Sequence, residues 1–152
     1  MNTYIGCSII VYDNDNKVLI AQRSKYKKSF PLLWETVGGA LEGNETPEQC
    51  IRREVLEELN CSIQDLKLFK VYVINDKDRY VLIVYSGRIN DPIKPNSEIE
   101  KIRWIVESEI NKFDFYLSII ISLFIFISFT IFTFSPPKLP IFMDPITQQY
   151  GI

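Results

Sequence analysis

The chain has 152 residues, enough for one domain with its own core, and carries 17 basic against 19 acidic residues for a net charge of −2. That balance leaves no basic face for non-specific nucleic-acid binding, so no nucleic-acid partner is expected. The absence of histidine removes Ser-His-Asp, Cys-His and histidine-ligated zinc chemistry together.

Three scattered cysteines, Cys7, Cys50 and Cys61, match neither a disulfide framework nor a zinc spacing. They read as reduced, buried thiols of an intracellular, cytoplasmic protein. The opening stretch has no basic n-region and no sustained apolar run, so no secretory signal is expected.

Residues 4 to 12, YIGCSIIVY, are β-branched and aromatic and predict a strand. Asp13-Asn14-Asp15-Asn16 predicts a turn, because short polar side chains cap their own backbone and tolerate left-handed angles. KVLIAQR (17 to 23) returns as a second strand. A loop over 24 to 33 carries Lys25, Lys27 and Lys28, and WETV (34 to 37) is a short strand entering a Gly38-Gly39 turn. A helix should then run from Pro47 to about Leu59. Thr46 is its N-cap, Pro47 suits the first helical position, and Gln49 completes a capping box. Asn60 stands where a left-handed terminating residue is wanted. Strands follow at 61 to 75, 79 to 90 and 101 to 106, the first two joined by Asn75-Asp76-Lys77-Asp78. ESEINKF (107 to 113) begins a short helix.

Six glutamates fall between residues 38 and 60, three of them within five positions: Glu54, Glu57 and Glu58. At helical spacing these three share one face, while Ile51, Val55 and Leu59 share another that packs on a sheet. Like charges four apart repel by a few tenths of a kcal/mol (about 0.2–0.5) even when solvated, and the cost rises in a cleft. Arg53, four residues before Glu57, offsets part of this. A solvated acidic face is one account of the run. A site for a hard divalent cation, Mg2+ or Mn2+, is the other, since such ions take clustered carboxylate oxygens. The glycine pair favours the second, because a backbone carbonyl can approach a ligand closely where no side chain intervenes.

The stretch resembles the signature of the Nudix hydrolases. That signature reads Gly, five residues, Glu, seven residues, Arg-Glu, an apolar residue, any residue, Glu-Glu, any residue, Gly, apolar. Here Gly39 opens it, Glu45 follows, then Arg53-Glu54, Val55, Leu56, Glu57-Glu58 and Leu59. Asn60 replaces the final glycine and Cys61 the usual aliphatic residue, both mild departures. The resemblance covers about residues 4 to 113 and implies an α/β fold, a Nudix-type α/β/α sandwich around a mixed β-sheet.

It also implies hydrolysis of a phosphoanhydride in a nucleoside diphosphate linked to another group. Hydrolysis of such a bond requires charge neutralisation on the phosphate oxygens and an in-line water. The resemblance makes Glu54, Glu58 and the Gly38 carbonyl metal ligands, with Glu57 a further ligand. Arg53 orients the set together with Glu45. Glu98, preferred over Glu100, is the candidate general base. Arg23 and Lys25 are candidate phosphate contacts, and Trp34 is a candidate for stacking on the base or for the core. WETVGGALEGNET looks more like the nucleoside-triphosphate-cleaving members, which points to a normal or oxidised triphosphate giving a monophosphate and pyrophosphate. ADP-ribose, other nucleotide sugars, dinucleotides and a catalytically weak nucleotide-sensing module are the alternatives. Nothing in the sequence specifies an oligomeric state.

Residues 115 to 134 break the pattern: twenty uncharged positions, then a proline-rich tail over 135 to 152. Twenty apolar residues span about 30 Å as a helix, the thickness of a bilayer core. One expectation is a membrane anchor behind a cytosolic catalytic domain. The other is a gene-model artefact such as a retained intron, because the segment is nearly all Phe, Ile, Leu, Ser and Thr and lacks the Ala, Val and Gly that membrane helices normally use for packing. The expected organisation is a catalytic domain over 1–114, the apolar segment and the tail.

Overall fold

The computed structural model describes residues 1–75 and 77–116. Seven strands and one α-helix follow in chain order: β1 (Thr3–Tyr12), β2 (Val18–Arg23), β3 (Trp34–Glu35), β4 (Val37–Ala40), α1 (Pro47–Leu59), β5 (Gln64–Asn75), β6 (Arg79–Arg88) and β7 (Ile99–Ile105). A 3-10 helix at Glu107–Lys112 closes the described part, where a short helix is expected.

All seven strands join one sheet, whose spine runs β3-β2-β1-β6-β5, with β4 beside β1 and β7 beside β2. β1 and β6 are parallel over ten residue pairs and every other pairing is antiparallel, so the sheet is mixed. The β1–β2 turn is built as the side chains dictate. Asp13 accepts from the Asp15 and Lys17 amides at 2.8 Å each, and Asn16 is left-handed at φ 60°.

Alternate residues of β1 serve opposite faces. Cys7, Ile9 and Val11 pack with Ile51, Val55 and Leu59 of α1, all buried. Burial of each large apolar side chain of this face contributes about 1.5–3 kcal/mol. Ile10, on the other face, packs with Val18, Ile20, Trp34 and Val84, and is covered by Ile110, Phe113 and Phe115. The two faces thus carry separate cores, the layering expected of the sandwich.

Strand limits shift from the sequence expectation in three places. β5 begins at Gln64 rather than 61, because Asn60 turns left-handed at φ 53° and its amide closes on the Leu56 carbonyl at 3.0 Å. β6 ends at Arg88. Gly38 and Gly39 form no turn: they lie within β4, opposite Ser8 and Cys7 of β1. The chain instead changes partner at Thr36, with β3 on β2 and β4 on β1.

Among the described residues no helix is long and apolar enough to cross a membrane. Apart from Phe115 and Tyr116, the apolar segment and the proline-rich tail lie outside the described residues. Phe115 bridges to Trp34, and the Trp34 and Tyr116 amides bond across this edge at 2.9 Å each.

Candidate active site

The N-terminus of α1 is fixed by its caps. Thr46 Oγ1 accepts from the Gln49 amide, and the Gln49 side chain accepts from the Thr46 amide at 2.7 Å. This sets the rotation of the helix, and with it the face that Glu54 and Glu58 present.

β4 explains why glycines are needed. A Cβ on Gly39 would lie 2.6 Å from Glu54 Cδ, inside the carboxylate. A Cβ on Gly38 would come within 2.8 Å of Ser8 Cα. Gly39 therefore lets the Glu54 carboxylate rest against strand backbone, and Gly38 lets β4 lie close to β1. Cys50, one turn before Glu54, fills the remaining gap, with its thiol 3.6 Å from the Ala40 carbonyl. All three cysteines are buried free thiols.

Arg53 gathers the front of the cluster. Its Nε and Nη2 donate to the two Glu45 oxygens at 3.1 and 2.8 Å, a bidentate grip. Its Nη1 donates to Glu54 at 2.8 Å and Glu57 at 3.2 Å, and Nη2 also reaches the Ala40 carbonyl. The guanidinium and the Glu42 amide hold the Glu45 carboxyl down at about 2. The same partners raise the guanidinium pKa further.

The back of the cluster is arranged differently. Glu58 is buried, and burial, then Glu35 and Glu54, push its carboxyl up to about 8. Glu54 is raised too, first by burial, with Arg53 opposing. Glu98 lies within electrostatic reach of Glu58 and is ion-paired to Lys27. Backbone bonds hold this corner: the Asn96 amide donates to the Glu58 carbonyl and the Ser24 amide to the Glu98 carbonyl, both at 2.8 Å. Glu100 turns toward the Lys25 amide instead.

The expected set therefore divides. Glu54 and Glu98 each lie within electrostatic reach of Glu58, whereas the Glu57 side chain is 55% exposed and shares Arg53 Nη1 with Glu54. Among the described residues no three acidic or thiol side chains converge on one point as a cation cage. The chemistry of the donors still suits a hard dication: buried carboxylate oxygens outnumber the cations beside Glu58, whose pKa is raised first by burial and then by Glu35 and Glu54.

Two candidate substrate contacts are engaged within the fold. Arg23 is buried and engaged: Nη1 donates to Glu35 at 2.7 Å, Nε and Nη2 donate to the Ser29 carbonyl, and the group lies over the Tyr116 ring. It braces β2, β3 and the 24–33 loop. Trp34 is 7% exposed in the second core, edge-on to Phe113, in the core role that was one of its two candidate roles. Lys25 sits over the exposed Tyr26 ring. Glu35 was missed. The available signal was an acid inside a strand segment between Trp34 and Thr36, where a carboxylate needs a partner.

The NUDIX domain family model matches residues 3–119. A second model, of a family of unknown function, matches residues 104–152 and so spans the apolar segment. An 8-oxo-dGTP diphosphatase of Proteus vulgaris is 36% identical over 76 residues, half of this chain and 67% of that protein. An NAD-capped RNA hydrolase of Vibrio atlanticus is 29% identical over 99 residues; the match spans 64% of this chain but 36% of that protein's length. A solved NUDIX hydrolase from Nitrosomonas europaea superposes with a TM-score of 0.70 at 17% identity, covering 93% of this chain and 97% of that one. That likeness carries the fold. With a family match over most of its length and the Gly39–Glu58 motif assembled around β4 and α1, the chain belongs to the Nudix hydrolase family.

Proposed function

We propose that this chain hydrolyses a phosphoanhydride in a nucleoside diphosphate linked to another group, with a divalent cation, Mg2+ or Mn2+. The favoured substrate is a normal or oxidised nucleoside triphosphate, giving a monophosphate and pyrophosphate. The observation that carries the reading is the pair of buried carboxylates, Glu54 and Glu58, on one helical face, with Glu54 packed against Gly39 of β4. The similarity to an 8-oxo-dGTP diphosphatase supports the triphosphate preference. Residues 1–114 are the proposed catalytic unit.

Glu54, Glu58 and the Gly38 carbonyl would hold the cation, with Glu57 joining them. Bound there, the cation neutralises phosphate charge and acidifies water. Glu98 is the proposed general base, placed beside Glu58 by the 94–98 loop. Arg53 is a positioning residue. It touches no substrate but fixes Glu54 and Glu57 relative to Glu45.

Glu54→Gln and Glu58→Gln keep size and shape while removing a charge. Each is expected to lower Mg2+-dependent release of pyrophosphate by at least about 100-fold, with an unchanged fold by circular dichroism. Near wild-type turnover of either variant at saturating Mg2+ rejects the assignment.

A further inference from the structure

The loop between β2 and β3 carries three lysines, and one of them is built into the carboxylate site. Lys27 Nζ donates to Glu98 Oε2, and its side chain is 27% exposed. Lys27 and Glu98 both act electrostatically on Glu35 and Glu58. The ammonium therefore lies among three carboxylates from three elements: β3, the end of α1, and the segment leading into β7. Two backbone bonds place it there. The Ser24 amide is tied to the Glu98 carbonyl, and the Lys27 amide closes a turn on the Ser24 carbonyl at 3.1 Å. Lys25, two residues away, points to the Tyr26 ring instead.

We propose that Lys27 is a tethered counter-ion of the site, which neutralises the Glu98 side of the cluster until a divalent cation replaces it and which then turns to the triphosphate. This rests on the hydrolase reading above and adds a specific role to a residue outside the signature. The physical reason is charge economy. Glu35 is balanced by Arg23 and Glu54 by Arg53, but Glu58 and Glu98 have Lys27 as the cation beside them. An ammonium on a four-carbon stem can leave such a place without unfolding anything, which a buried, fixed guanidinium cannot. Once a dication satisfies the carboxylates, the freed ammonium stands next to the bound polyphosphate.

The test is Mn2+ binding by isothermal titration calorimetry without nucleotide, on the wild type, Lys27→Met, Lys27→Arg and Lys28→Met. Removing a competing charge at contact distance should tighten Mn2+ binding roughly tenfold in Lys27→Met. Lys28→Met, the same charge loss on the same loop away from Glu98, should stay within about twofold because solvent and salt screen it. Lys27→Arg should also stay close to wild type. In steady-state kinetics at saturating Mn2+, Lys27→Met should raise KM for the nucleoside triphosphate more than it lowers kcat. Equal Mn2+ affinity in Lys27→Met and wild type, or equal tightening in Lys27→Met and Lys28→Met, overturns the counter-ion role alone. No Mn2+ uptake by the wild type overturns it together with the hydrolase reading.

Discussion

The two ends of the carboxylate cluster are organised by Arg53 and Glu58, five residues apart on one helix, yet have opposite electrostatics. At the front, Arg53 binds Glu45 through both oxygens and holds it down at about 2. At the back, burial first, then Glu35 and Glu54, with Glu98 adding less, pushes the Glu58 carboxyl up to about 8. The front is a finished salt-bridge network, the back an unfinished one. Carboxylates that a protein intends as structure receive a guanidinium in fork geometry. Those left short of positive charge are the ones a bound cation stabilises. The contrast separates Glu45, a scaffold residue, from Glu58, a proposed ligand, although both belong to the same motif.

Breaking the front should have the largest effect. Arg53→Met frees Glu45, Glu54 and Glu57 at once and should lower turnover at least about 100-fold in a pyrophosphate-release assay. Turnover within tenfold of wild type would show that the network is only structural. Gly39→Ala forces a methyl group into the Glu54 carboxylate. It should reduce turnover by about tenfold or more and lower the melting temperature by several degrees, roughly the cost of an overpacked site of 1–3 kcal/mol.

The back is sharpened by pH. Because the Glu58 carboxyl is raised when folded, the native state binds more protons than the unfolded chain between about pH 4.5 and 8. Stability of the metal-free protein, read in urea melts, should therefore fall as pH rises through that window. Glu58→Gln should flatten the fall, and Mn2+ should stabilise the wild type more at pH 8 than at pH 5. The front behaves in the opposite sense: the contribution of Glu45, present above its unfolded value, is lost as pH falls toward 2. A melt that stays flat across pH 5 to 8 contradicts the unbalanced back.

The smallest effect is expected at Trp34. Trp34→Phe should cost a modest 1–2 kcal/mol or so of stability and leave KM within about twofold, since the ring packs against Phe113 in the core. A tenfold rise in KM would return it to the substrate.

Much of this was legible in one dimension because it is local. Thr46, Pro47 and Gln49 start α1, Asn60 ends it, and helical periodicity then places Glu54 and Glu58 on one face, Ile51 and Val55 on another. Arg53 and Glu57, four apart, pair as their spacing predicts. Family resemblance extended the reading to the sheet and the sandwich. What the linear pattern could not show is which charges meet across the sheet. Arg23 and Lys25 looked like phosphate contacts because each stood near a strand end. The β2–β3 pairing sets Ala21 opposite Glu35, which brings Glu35 within reach of Arg23 and takes up its guanidinium.

The amino-acid order alone thus determined the helix, its caps and the face its carboxylates share, since those depend on neighbours three and four residues apart. Tertiary structure alone decided which carboxylates are balanced. The Gly39 backbone beneath Glu54, and the placement of Glu35, Glu98 and Lys27 around Glu58, come from strand register and loop closure between segments up to seventy residues apart. Charge interacts through space, and no sequence spacing encodes that distance.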